Sequence, residues 1–98
     1  MSDDERARAI ALIEATHQFP VDYPISVIAL NVDAVVAEVR AAVEEGLDQP
    51  LGDQAYDSVM SKGGRYSSHR FKVPCRGPEE VLALYDRLRR VKGVITLL

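Results

Sequence analysis

The chain has 98 residues, 47% of them hydrophobic, enough apolar side chain for one core and too little for a second, so residues 1–98 are expected to form one domain. Its 12 basic residues are outnumbered by 15 acidic ones, a formal net charge of -3. That leaves no excess of cations to displace counterions from a phosphate backbone, and nucleic acid is a poor match as a partner.

The lone cysteine, Cys75, excludes an intrachain disulfide and any two-cysteine metal motif, and fits a reducing compartment. The N-terminus MSDDERARAIALIEATHQ opens acidic and carries Glu5, Arg6, Arg8 and Glu14, unlike an export signal. No run approaches the roughly 18 apolar residues of a membrane span. A cytoplasmic protein with no membrane partner is the expectation.

Residues Asp4 to His17 are helix formers, with Ala7, Ile10, Ala11 and Ile13 near amphipathic spacing and Ser2 or Asp3 available as a cap. This helix must stop by Phe19-Pro20, because the residue before a proline is pushed out of the α region. Tyr23 to Asn31 is a β-rich apolar run interrupted only by Ser26, the pattern of a central strand. In VDAVVAEVRAAVEEG, residues Val32, Val35, Val36, Val39, Ala42 and Val43 form one stripe; Asn31 or Asp33 can cap it and Gly46 stops it. LDQPLGDQA, residues 47–55, has loop composition and is expected to be mobile.

Tyr56 to Lys62 and Arg65 to Cys75 flank Gly63-Gly64, a hairpin signal, since both glycines can take positive φ. In the second of these strands a period of two separates Phe71, Val73 and Cys75, with His69, from Tyr66, Ser68, Arg70 and Lys72. PEEVLALYDRLRRV then has proline and acids in its first turn and arginines in its last, and buries Val81, Leu82, Leu84, Tyr85 and Leu88. Gly93 ends that helix and VITLL closes the chain as a paired strand.

After the first helix the order is strand, helix, hairpin, helix, strand. It predicts an α+β, ferredoxin-like β-α-β-β-α-β fold: a four-stranded antiparallel sheet with two helices on one face, preceded by a short N-terminal helix. Ser26, Ile28 and Leu30 alternate with Ile25, Val27 and Ala29, so both sides of the first strand are largely apolar. Two helices on one face cannot bury both sides. Either the N-terminal helix or another subunit must cover the second.

No catalytic or metal constellation is legible. His17 and His69 lack a Cys, a second His or an acid at ligand spacing. Ser68 and His69 are adjacent on a strand and point to opposite faces. KGGRYSSH leads into a strand, whereas a phosphate-cradling glycine loop leads into a helix. Cys75 reads as packing, and RLRR at 87–90 as a helix end that complements the dipole together with a solvated face. No cofactor is implied.

Three segments carry a resemblance. FPVDYPISVIAL is similar to the FP-x-x-(F/Y)-PI-x-VIG opening of the small bacterial YbeD-like proteins, a family of unknown function. Ser61, Gly64, Tyr66 and Ser68 resemble its S-x-x-G-x-Y-x-S segment, and Val81, Leu84, Tyr85 and Leu88 its V-x-x-L-Y-x-x-L ending, followed by Val94 and Leu97-Leu98. The resemblance covers about residues 12–98; Ser26 stands where a lysine is usual and Ala29 where a glycine is. It implies a ferredoxin-like fold similar to ACT regulatory domains, which bind small ligands between copies, and a proposed link to lipoate metabolism in one branch.

The expected function is a non-enzymatic regulatory or adaptor domain. It would pair with itself or a partner protein through sheet edges or the open face, with a small acidic metabolite as effector. Tyr66, Ser68, Arg70 and Lys72 are the candidate contacts, because they share one face and include two cations. An acylphosphatase-like hydrolase is an alternative, but Asn31-Val32-Asp33 offers no arginine to stabilise a transferring phosphoryl group. A weak RNA-binding module is another; Tyr66 and Phe71 are the only aromatic residues of the third strand.

Overall fold

The computed structural model describes residues 2–47 and 50–98. Helix α1 spans Asp3–Thr16, and the Ser2 side chain caps it by accepting the Glu5 N–H at 3.2 Å. Strand β1 (Val21–Leu30) leads to helix α2 (Asp33–Glu44), and a 3-10 turn at Asp53–Ala55 delivers the chain into β2 (Tyr56–Met60). Strand β3 (Tyr66–Cys75), helix α3 (Pro78–Arg89) and strand β4 (Val94–Leu97) complete the order. The loop expected over 47–55 is interrupted by that 3-10 turn, and its residues 48 and 49 lie outside the described residues.

The four strands form one sheet in the order β2-β3-β1-β4, and every neighbouring pair is antiparallel. With α2 and α3 crossing over between strands, this is the ferredoxin-like arrangement the sequence predicts. Ile25, Val27 and Ala29 of β1 lie opposite Phe71, His69 and Ser67 of β3, and all six are buried. Val39 and Val43 of α2 and Leu84 and Leu88 of α3 close over them, so the core lies between this side of the sheet and the two helices.

The ladder fixes where the main-chain groups point. Ser26 donates its N–H to the Leu98 carbonyl at 3.0 Å and accepts the Leu98 N–H at 2.8 Å. Even-numbered residues of β1 therefore bond to β4 and odd-numbered ones to β3; on β3 the even-numbered residues turn their groups away from β1. Pro24 and Pro74 occupy such even positions, beyond the end of β4 and beyond the last β2 pair, Tyr56 with Phe71. A proline costs nothing there, since its missing N–H faces no strand. Because β3 runs on to Cys75, it pairs with β1 from Val21 onward, and β1 starts before the expected Tyr23.

Asn31 is not the cap of α2. Val32 holds that position without a side-chain bond, while the Asn31 amide donates to the Gly64 carbonyl at 3.0 Å and its backbone N–H to the Arg65 carbonyl at 2.9 Å. The asparagine thus ties the hairpin to the end of β1. Gly63 and Gly64 take φ of 92° and 76°, as a glycine pair in a tight hairpin should.

The N-terminal helix does not cover the second side of the sheet. It packs beside α3, with Ile13 half-buried against the helix-side core and no residue fully buried. The alternative in which this helix shields the open face is therefore the one that fails.

Candidate functional site on the open sheet face

Alternation along β3 places Tyr66, Ser68, Arg70 and Lys72 opposite Leu30, Ile28, Ser26 and Pro24, on the side that carries no helix. The four expected contact residues therefore do share one face. The Arg70 guanidinium is held by Asp57 of β2 at 2.7 Å, and Arg65 lies 5.5 Å from the centre of the Tyr66 ring. Among the described residues Lys72 makes no ion pair.

Lys72 divides two clefts. One, of about 380 Å³, is bounded by Pro24, Ser26, Gln54, Asp57 and Arg70. The other, of about 750 Å³, lies between the end of β3 and the loop before β2, against Asp22, Leu51, Gln54 and Arg76. Both have the size of small-ligand pockets. Arg76 is less available than Lys72. It donates its backbone N–H and its Nε to Glu80 at 2.7 and 2.9 Å, and those bonds hold the Glu80 carboxyl below its usual range. Apart from Thr96, the remainder of the open face is apolar: Ile28 and Leu30 are half-buried, and Val59 and Leu98 are 52% and 69% exposed.

The buried side of β3 holds a polar cluster that the sequence reading did not assemble. The His69 imidazole lies 2.7 Å from the Ser67 hydroxyl through Nε2 and 2.7 Å from the Tyr56 hydroxyl through Nδ1. Burial pushes its pKa down, so the ring is neutral and shares protons with two hydroxyls. Arg40 of α2 lies over the Tyr56 ring at 4.6 Å, closing the cluster from the helix side. Serine beside histidine suggests a nucleophile and its base, yet Ser67 and His69 are 5% and 2% exposed. The signal for Ser67 was present, because residues two apart on a strand share a face. Tyr56 comes from the β2–β3 register, which no local pattern reveals.

Cys75 is buried, and burial with the nearby Glu80 charge pushes its thiol up to about 11, the state of an inert packing residue. Within RLRR, Arg87 crosses to α2 and donates its Nε to the Ala42 carbonyl at 2.8 Å. It satisfies a carbonyl in the last turn of a neighbouring helix as well as suiting its own dipole. His17 packs on Tyr23 at 4.7 Å. Among the described residues no group of three His, Cys, Asp or Glu converges as a metal site, and no helix is long and apolar enough to cross a membrane.

A sequence-family model described as a protein of unknown function, DUF493, matches residues 14–98. The chain belongs to the DUF493 family. The match takes in every strand, both sheet-packed helices and the open face, and it begins inside α1, leaving most of that helix outside the family's shared extent. This agrees with the resemblance to the YbeD-like proteins and with its starting point near residue 12. No curated protein matches this DUF493 chain.

Proposed function

We propose that this protein is a non-enzymatic regulatory or adaptor domain. It takes a small acidic metabolite, or an acidic segment of a partner protein, on the open face of β3, with Lys72 as the principal cation and Arg70, Ser68 and Tyr66 beside it. The observation that carries the reading is the position of Lys72, on an uncovered sheet face between two ligand-sized clefts. Ser26 and Gln54 add hydrogen-bonding side chains to the smaller cleft, and Arg70 turns toward an anion at the cost of an exposed ion pair worth little. The reading as a non-enzyme is supported by the burial of Ser67 and His69, where no substrate reaches either.

A thermal-shift series with amino acids, lipoate, octanoate and small phosphates tests this. A ligand at ten times its dissociation constant adds about 1.4 kcal/mol, which raises the melting temperature of so small a domain by roughly 5 to 10 °C. The shift is expected for anionic compounds and is expected to disappear in Lys72→Ala. A shift that survives both Lys72→Ala and Arg70→Ala refutes the site. A series with no shift, followed by a pull-down in which captured proteins are unaffected by Lys72→Ala, refutes the function.

A further inference from the structure

The borders of the sheet are not protected alike. Where β1 and β3 run past their neighbours, Pro24 and Pro74 stand at the positions whose N–H would point outward, so neither overhang presents a full set of main-chain groups to an incoming strand. The border strand β2 carries a charge, Asp57, within its span and turns into Lys62 and Arg65. The other border strand, β4, reads Val94-Ile95-Thr96-Leu97 and holds neither charge nor proline; its only protection is its four-residue length and a register shift against Ile28 and Ala29 that leaves Ile95 without a β1 partner. It packs on β1 and α3 alone among the elements in substantial contact with it.

The main chain of β4 is half used. Leu98 exchanges both bonds with Ser26, and Thr96 lies opposite Ile28, another even-numbered residue of β1, so Leu97 between them turns its N–H and C=O to the outside. Around this open ladder lie the exposed side chains of Ile95 and Leu98, at 57% and 69%. Unpaired strand groups flanked by apolar side chains are a template for a further strand.

We propose that β4 pairs edge to edge and antiparallel with β4 of a second copy, so that two four-stranded sheets run on as one. A second copy is the fitting occupant because an uncharged strand joined antiparallel to its own duplicate is self-complementary and closes about a two-fold axis. Joining β4 to β2 of another copy would place the charged span of β2 against it and leave one β4 edge still free, so that the array would not close. The shared edge is one short strand long, well below the roughly 800 Å² per partner of a standard interface, so the dimer is weak and reversible. The two open faces then become continuous, with Ile95 of each copy near the axis. The proposal is independent of any ligand at Lys72.

Sedimentation velocity across micromolar to millimolar protein tests it, with Ile95→Lys and Ile95→Glu as variants at a side chain already in solvent. The wild type is expected to move from monomer to dimer as concentration rises. Each variant alone should weaken the dimer about tenfold or more, since like charges meet near the axis within a Debye length. An equimolar mixture of the two variants should restore it. A wild type that stays monomeric at millimolar concentration overturns the proposal. So does a dimer that both variants form as readily as the wild type, or one that Met60→Lys on β2 dissociates while Ile95→Lys does not.

Discussion

The two faces of β3 are made by one strand and share one backbone, yet they are chemically opposed. On one, Ser67, His69, Phe71, Val73 and Cys75 are all at or below 5% exposure, and even the polar members are bonded among themselves or to Tyr56. On the other, Tyr66, Ser68, Arg70 and Lys72 meet solvent and a loosely apolar sheet. The buried row holds the fold and tolerates little change. The open row is expected to contribute little to stability, as the proposed recognition role would require, so the two rows should separate cleanly under mutation.

The largest contrast is expected at Phe71. Its ring is 2% exposed and packs on Tyr56 at 4.9 Å between centroids, so Phe71→Ala should cost about 3–5 kcal/mol in urea unfolding. Ser68→Ala, on the other face, should fall within about 0.5 kcal/mol of the wild type. Similar losses from both substitutions would mean that the open face is covered in solution, and that the separation of the two rows applies only to the isolated chain.

His69 sharpens the comparison through pH. Its folded pKa lies below the ordinary 6.5 because burial disfavours the imidazolium, so the unfolded chain binds a proton first as the solution is acidified. The stabilisation is fully present above pH 6.5, is lost as pH falls below that value, and stops changing once the folded ring protonates. Chemical denaturation at several pH values should show this slope in the wild type. The slope should flatten in His69→Gln, which also loses about 1–3 kcal/mol at neutral pH as the Ser67 and Tyr56 hydroxyls lose a partner. An unchanged slope in that variant would place the titration elsewhere.

The alternation that separates these rows was legible in the sequence, because a period of two needs only neighbouring residues. The same local logic located the glycine hairpin, the Val39 and Val43 stripe of α2 and the stop at Gly93, where φ is +97° and an added Cβ would lie 2.8 Å from Val35 Cγ2. What escaped it depends on register between distant segments. Tyr56 reaches His69 only because β2 begins opposite Phe71, and Asn31 leaves the helix cap only because Gly64 and Arg65 lie beside it. Of the candidate site, alternation alone placed the row containing Lys72 on one face. The clefts on either side of it depend on the path of the loop that carries Leu51 and Gln54.

The smallest effect is expected from the Arg70–Asp57 ion pair on the open face. Arg70 and Asp57 are 2.7 Å apart, but their side chains are 58% and 63% exposed, so water and salt screen the attraction and two side chains lose freedom to make it. A double-mutant cycle with Arg70→Ala and Asp57→Ala should return a coupling of about 0.2–0.5 kcal/mol that shrinks further as salt is added. A weak pair would suit the proposed recognition role, because an arginine that gives up little by leaving its carboxylate is free to meet another. A coupling above about 1.5 kcal/mol would match a desolvated pair rather than a solvated one. Arg70 would then be a structural cross-brace between β2 and β3, and Lys72 would be left as the only cation of the row free to hold a ligand.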